Sequence, residues 1–335
     1  MNDKNVNTIR AYNFGGLGFN IGAQLETFRD HAIKATAQLD IAYADTSDSD
    51  MQAEIDVANC FFLPGAAGSG KFQGQHLDAI DAHAKAFLQN FKPSETLNIV
   101  VSSASGGSGP AFASTIVSEL LDAGKNVIVI VVGTTADKRE ITNTRNNVRS
   151  YINIAEDTDK PVPIAYFQNS TATPRAAVDK AIVALVGSLC VLFSGQNHGL
   201  DKQDLYNWLH FNENKTTSYG ARIAQLSMFE GDDHIGNIGN VITVATLSSQ
   251  KSGHEIEQTP EYQVVGRIPE DATQVIIEAT PIHFVISTGR FAEVLKSLDD
   301  KLVEINRARE AVVDTLSSNM GDAKAKANKR GIVVD

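Results

Sequence analysis

The sequence predicts an α/β fold: a Rossmann-like parallel sheet in the first half of the chain, a long buried central helix, and a smaller C-terminal α+β domain. Three observations carry this. Residues 8–168 alternate apolar strand-like runs with helix-like segments, the rhythm of a parallel sheet covered on both faces. Residues 174–196 place apolar side chains nearly all the way round a helix, from Val178 to Phe193, as in a helix buried on every side. After Trp208 the texture changes to strands at 240–246, 262–266 and 274–287, then one long helix from about Arg290 to Ser317.

In chain order, strands are expected at 8–14, 39–44, 60–63, 97–102, 127–132 and 162–168, with helices from about Asn20, His76 and Ala111 and a polar one near Thr142. Thr173-Pro174 supplies a cap and first turn for the central helix. The boundaries that follow are a first α/β domain at 1–172, the central helix at 173–200, the C-terminal domain at 201–318 and a tail at 319–335. The tail mixes Lys and Arg with a short apolar end, Gly331-Ile-Val-Val-Asp, which reads either as disorder or as a docking segment.

At 335 residues, 42% hydrophobic and 21% charged, the chain has the composition of a soluble globular protein of about two domains. A net charge of -11 argues against direct nucleic-acid binding and against anionic membranes. Cys60 and Cys190 both lie in apolar runs, which suits buried reduced thiols better than a disulfide or metal site. The longest apolar stretch, Ala181–Phe193, is shorter than the roughly 20 residues of a membrane span, and Met1-Asn-Asp-Lys does not begin a signal peptide. A cytoplasmic location is expected.

Glycine-rich loops carry the chemistry. Ser103-Ala-Ser-Gly-Gly-Ser-Gly109 lies between a strand and a helix, where small residues let backbone N–H groups close on an anion at the helix's positive end. A Cβ at Gly107 or Gly109 is expected to crowd those donors against phosphates. Upstream, Phe14-Gly-Gly-Leu-Gly-Phe-Asn-Ile-Gly22 follows the first strand, with glycines spaced like a dinucleotide fingerprint and Asp45 where a ribose partner would stand. Gly65-Ala-Ala-Gly-Ser-Gly-Lys71 fits G-x-x-x-x-G-K, yet Phe72 occupies the position where a P-loop needs Ser or Thr for magnesium. Asp201-Lys-Gln-Asp204 reads either as a helix cap with a second acid in its first turn, or as two carboxylates that orient water and metal for phosphoryl transfer. His198 is expected to serve the preceding turn rather than act as a base.

The order and spacing of these loops resemble the tubulin/FtsZ superfamily across residues 8–318. Gly15, Gly16, Gly18 and Asn20 match its phosphate and base contacts, and Asp45 and Thr46 its magnesium-side second loop, with Asp45 toward the metal. Gly65, Ala66, Ala67 and Gly68 fall in its third loop. Residues 103–109 align without gaps to its G-G-G-T-G-[ST]-G signature, which implies nucleotide contacts at Ser105, Gly106, Gly107, Ser108 and Gly109. Ser103, Ala104 and Ser105 replace its glycines and Gly106 stands at its threonine, departures that suggest the divergent phage and plasmid tubulins (PhuZ- and TubZ-like). Asn169 and Asp179 fall where the family contacts ribose and guanine, and Asp201 and Asp204 match the catalytic acids of the loop that enters the next subunit's site. The resemblance implies GTP or GDP with Mg2+, a longitudinal homopolymer that hydrolyses GTP between subunits, and a role in positioning phage or plasmid DNA through an adaptor or cargo, in the host cytoplasm if phage-encoded. The alternative is an NAD(P)-binding Rossmann oxidoreductase, which would leave the second and third loops unexplained and lacks an obvious hydride-transfer group.

Overall fold

The computed structural model describes residues 7–31, 36–212, 223–231, 238–248, 259–269 and 281–324. Six strands open the chain: β1 (Thr8–Phe14), β2 (Gln38–Asp45), β3 (Cys60–Phe62), β4 (Leu97–Ser103), β5 (Val127–Thr134) and β6 (Val162–Asn169). Between them lie α1 (Gly15–Asp30), α2 (Leu77–Asn90), α3 (Ser108–Asp122) and α4 (Lys138–Thr158). The central helix α5 (Arg175–Leu192) and the short α6 (Lys202–Leu209) lead to β7 (Ile223–Glu230), β8 (Asn240–Ser248), β9 (Tyr262–Arg267) and β10 (Ile282–Thr288), and α7 (Arg290–Lys324) follows.

The ten strands among the described residues form one sheet, in the order β3-β2-β1-β4-β5-β6-β7-β10-β8-β9. The first six are parallel in the doubly wound order 3-2-1-4-5-6. Alternation along β1 shows why it is covered on both faces: Ile9 and Ala11 enter one apolar cluster, Tyr12 and Phe14 the other. The first cluster takes Phe19, Ile21 and Leu25 of α1 and the apolar residues of α5; the second takes Ile80 of α2, Phe112 and Ile116 of α3, and Val148 and Tyr151 of α4.

Two expectations change here. The C-terminal strands continue the first sheet, because β7 pairs with β6 in parallel and with β10 antiparallel. The final helix docks on the helices that cover the first six strands: Phe291, Val294, Leu298 and Leu302, at helical spacing, join the cluster of α2–α4, and Asp299 pairs with Arg145 (3.0 Å) and Arg149 (3.6 Å) of α4. That helix runs to Lys324, so residues 319–324 of the expected tail are helical; the rest of the tail and residues 274–280 of an expected strand lie outside the described residues. Leu298→Ala, at a side chain only 2% exposed, should cost about 2–5 kcal/mol, read as a lowered midpoint in urea.

The central helix is buried on every side only in its second half. Arg175, Ala176, Ala177, Lys180, Ala181 and Ala184 are exposed, while Leu185–Val191 are enclosed apart from a half-buried Ser188. Alanines at the surface mimic the apolar wheel of a core helix, which explains the difference. At its far end Trp208, fully buried, donates to the Phe284 carbonyl and meets the Phe284 ring edge-on at 6.3 Å, fixing α6 to β10. Cys190 is buried and Cys60 half-buried; both are free thiols.

Candidate functional site

In a sheet of this order, ligands bind beyond the strand C-termini where the winding reverses, between β1 and β4. The register places Phe14 beside both Ala44 and Ser102, so the loops after β1, β2 and β4 leave the sheet at one level. Helices α1 and α3 begin at Gly15 and Ser108, and their N-termini converge on the same point with the positive ends of two helix dipoles.

The glycines that permit this are packed on each other. Gly15 has φ +69°, and a Cβ there would lie 2.9 Å from Gly109 Cα; a Cβ on Gly109 would lie 2.8 Å from the Phe14 carbonyl oxygen. A Cβ on Gly107 would meet Ser69 Oγ at 2.2 Å and the Phe72 nitrogen at 3.0 Å. The expectation that a side chain at Gly107 or Gly109 would crowd phosphate donors with the fold left intact is therefore revised. The first obstruction is the protein's own neighbouring loops. Ser69 Oγ accepts from Ser108 N at 2.9 Å, and Asn143 of α4, buried, donates through Nδ2 to the carbonyls of Lys71 (2.9 Å), Ser105 (2.9 Å) and Gly106 (3.1 Å).

Two adjoining cavities occupy the convergence. The smaller, about 230 Å³, is lined by Gly15, Gly16, Asp45, Thr46, Gly68, Ser69 and the signature residues Gly106–Gly109, the size and chemistry of a phosphate cradle. The larger, about 1080 Å³, runs past Ser105 and Gly106 to Asn20, Thr134, Thr135, Asn169 and Arg175. Both share Gly16, Leu17, Asp50, Ser103 and Gly106, so together they form one elongated recess. Thirteen of the sequence-derived residues are thus gathered on its walls or, for Asp179, hydrogen-bonded to a wall residue. Gly18, Gly65, Ala66 and Ala67 line neither cavity. A Cβ on Gly18 would lie 2.5 Å from the Asn13 carbonyl carbon, so that glycine serves the packing of α1 on β1, and Ala66 packs against the apolar cluster.

Asp45 is 5% exposed, and its Oδ1 accepts from Thr46 N (2.6 Å), Thr46 Oγ1 (3.3 Å) and Ser108 Oγ (2.5 Å). Burial raises its pKa above the usual carboxylate value, against the pull of Ser108 and Thr46. A buried carboxylate beside a phosphate cradle suits Mg2+, which takes one or two protein oxygens and completes its shell with phosphate and water; no cluster of three or more His, Cys, Asp or Glu exists among the described residues. Because folding favours the protonated Asp45, its stabilising contribution is complete below the ordinary carboxylate pKa and is lost as pH rises through the raised one. Asp45→Asn keeps an oxygen for the three donors. At pH 7 it should melt no lower than wild type without ligand, and where Asp45 holds Mg2+ beside a phosphate ligand the substitution should abolish any effect of EDTA on that ligand's binding, as read by thermal melts and titrations.

At the other end Asn20 Nδ2 donates to Asp179 Oδ2 at 2.9 Å. Among the described residues, Asp179, 8% exposed, keeps Oδ1 buried without a partner, and Asn169 Oδ1 is likewise buried and unpartnered. Two acceptors withdrawn from water and left open call for donors on whatever fills the recess.

Asp201 and Asp204 lie elsewhere. They form a reciprocal capping box on α6: Asp201 Oδ1 accepts from Asp204 N and Asp204 Oδ2 from Asp201 N, both at 2.9 Å. Tyr262 donates its hydroxyl to Asp204 Oδ1 at 3.2 Å. His198 serves its turn through the backbone, bridging Arg267 in both directions at 2.8 Å. Sequence reasoning passed over Asp50, whose carboxylate lies 2.6 Å from where a Gly16 Cβ would be, and Asn143, Arg175 and Lys301. The run Asp48-Ser-Asp50 after Asp45 was the one signal available for the first; nothing local marks the others.

Strand order, converging glycine loops and the α5 spine together define a tubulin-like fold. The sequence model of the family described as phage tubulin-like protein, C-terminal domain, matches residues 200–289. The phage tubulin-like protein of Pseudomonas phage PhiPA3 is 28% identical over 311 residues, covering 91% of this chain and 94% of its own. That of Pseudomonas phage phiKZ is 24% identical over 329 residues, 97% and 98% of the two chains. Among solved structures, a TubZ protofilament from bacteriophage PhiKZ superposes with TM-score 0.80 at 22% identity over 98% of this chain and 99% of the other. The phage tubulin PhuZ with GDP gives 0.81 at 21% identity over 97% and 99%. The chain is similar to these phage tubulin-like proteins along nearly its whole length and shares their fold. The oxidoreductase alternative finds no relative among these.

Proposed function

We propose that this protein binds GTP and GDP in the recess between β1 and β4 and assembles head to tail into a filament that hydrolyses GTP between subunits. The observation that carries the guanine reading is the pair of buried, open acceptors, Asp179 Oδ1 and Asn169 Oδ1, at the end of the recess opposite the phosphate cradle. Guanine presents N1–H and N2–H donors along one edge, whereas adenine offers an acceptor at N1, which a carboxylate repels. The relatives named as a TubZ protofilament and as a GDP-bound PhuZ support both halves of the reading.

The division of labour follows from α5. Its 18 residues span about 27 Å, with Arg175 at the recess and Asp201 beyond the opposite end. Neither acid reaches the phosphates of its own subunit. A second copy stacked end to end brings them there, and a head-to-tail contact that does not close propagates as a filament. Asp201 and Asp204 would position the attacking water, with Asp45 toward Mg2+. By resemblance alone, the filament would position phage or plasmid DNA through an adaptor or cargo.

Light scattering on nucleotide addition tests the reading. A rise with GTP, its absence with ATP, and phosphate release that begins only above a threshold protein concentration are expected. GTP binding without any rise at high concentration would leave a passive binder.

A further inference from the structure

The G-x-x-x-x-G-K run ends in a lysine that the proposed site does not yet use. It lacks the hydroxyl of a P-loop, but its lysine stands in the right place for another task. Among the described residues, the walls of the phosphate-end cavity carry two carboxylates, Asp45 and Asp50, and no Lys or Arg. A nucleoside triphosphate adds several negative charges to that, more than a single Mg2+ balances. Among the described residues, the larger cavity has three basic side chains: Arg175 at the base end, Lys301 on α7, and Lys71. Only Lys71 belongs to a loop that itself builds the cradle, since Gly68 and Ser69 line its wall and the Phe72 nitrogen approaches Gly107.

The backbone shows that Lys71 is held there at some cost. Its backbone has φ +66°, a left-handed conformation that disfavours a side chain, and the only other described non-glycine residue in that region is the helix cap Asp159. Asn143 fixes that geometry by donating to the Lys71 carbonyl with the same amide that binds the signature-loop carbonyls of Ser105 and Gly106. The ammonium, half exposed, is meanwhile parked on α4, 2.6 Å from Glu140 and 3.3 Å from Asp137. Arg139 of α4 is engaged on the neighbouring side chain, stacked 3.8 Å above the Phe72 ring.

We propose that Lys71 is a ligand of the terminal phosphate of a nucleoside triphosphate, exchanging Glu140 and Asp137 for phosphate oxygens when the triphosphate binds and returning to them with the diphosphate. This rests on the GTP reading of the recess and deepens it: Lys71 sets the preference for triphosphate over diphosphate. The pairing keeps the ammonium charged, since hydrogen bonds to Glu140 and Asp137 raise its pKa.

The test is competition of GTPγS and of GDP against a fluorescent GDP analogue, below the assembly concentration, for wild type and Lys71→Met, Lys71→Gly and Lys71→Arg. The glycine variant removes the charge and relieves the backbone, so it remains informative if the methionine variant folds poorly. Affinity for GTPγS should fall about tenfold or more in the methionine and glycine variants, the equivalent of one charge-assisted contact, while GDP affinity stays within about twofold. Arginine should retain most of the GTPγS affinity. An unchanged ratio of GTPγS to GDP affinity across the variants overturns the role of Lys71 and leaves the nucleotide reading standing. A wild-type protein that binds neither nucleotide overturns both.

Discussion

An Asp179→Asn variant is expected to lose GTP affinity by about two orders of magnitude and to prefer XTP. Asp179 accepts from Asn20 through Oδ2 and keeps Oδ1 open in a buried position. Against guanine the carboxylate would take both N1–H and N2–H; a hydrogen bond to a charged partner contributes roughly 1.5–3 kcal/mol, and each 1.4 kcal/mol is tenfold in affinity. The amide keeps one acceptor, enough for Asn20, but turns a donor toward the guanine amine. Xanthine has a carbonyl at that position, so the amide matches it where the carboxylate repelled it. Burial raises the Asp179 pKa, which Asn20 opposes, so the open oxygen is held at a desolvation cost that a donor-bearing ligand offsets. Titration of GTP and XTP against both proteins decides the matter. An unaltered GTP preference in a folded variant would show that the base is read elsewhere.

How much of this was legible in the sequence depends on how local each signal is. The first six strands were recoverable because residues such as Ile99, Val100 and Val101 form apolar runs closed by glycine loops, and the loop positions of Gly15, Asp45 and Gly107 follow from strand ends alone. β7 was missed, although Ala224 and Leu226 alternate inward with Gln225 and Ser227, and that omission made the C-terminal strands look like a separate sheet. The docking of α7 was equally hidden: Phe291, Val294, Leu298 and Leu302 announce an apolar stripe but not which domain it covers. The roles of Asn143 and Lys71 depend on a contact between residues about 70 positions apart, which no local pattern carries. Gly18 shows the converse. Its spacing suggested a phosphate contact, and its close approach to Asn13 gives it a packing role.

The second large effect separates binding from chemistry. Alanine at Asp204 or Asp201 should spare GTP binding, since both acids lie a helix length from the recess of their own subunit, and should lower phosphate release by about two orders of magnitude or more, the scale of a lost positioning or proton-transfer group. Filaments should then persist, because GTP is no longer consumed. The capping box complicates the alanine variants: Asp204→Ala removes the acceptor for Asp201 N and for the Tyr262 hydroxyl, with a stability loss of ~1 kcal/mol from the cap alone. Asparagine resolves this. It is as good a cap as aspartate, and an amide oxygen at position 204 can still accept from Asp201 N, so Asp201→Asn and Asp204→Asn should melt close to wild type. If the acids act only as caps, both asparagine variants hydrolyse GTP at the wild-type rate per assembled subunit. If they act on the neighbour's phosphates through their charge, turnover falls in the asparagine variants nearly as far as in the alanine ones. The comparison is phosphate release and filament lifetime, measured well above the assembly threshold, and wild-type turnover in Asp204→Asn and Asp201→Asn alike would sink the shared site.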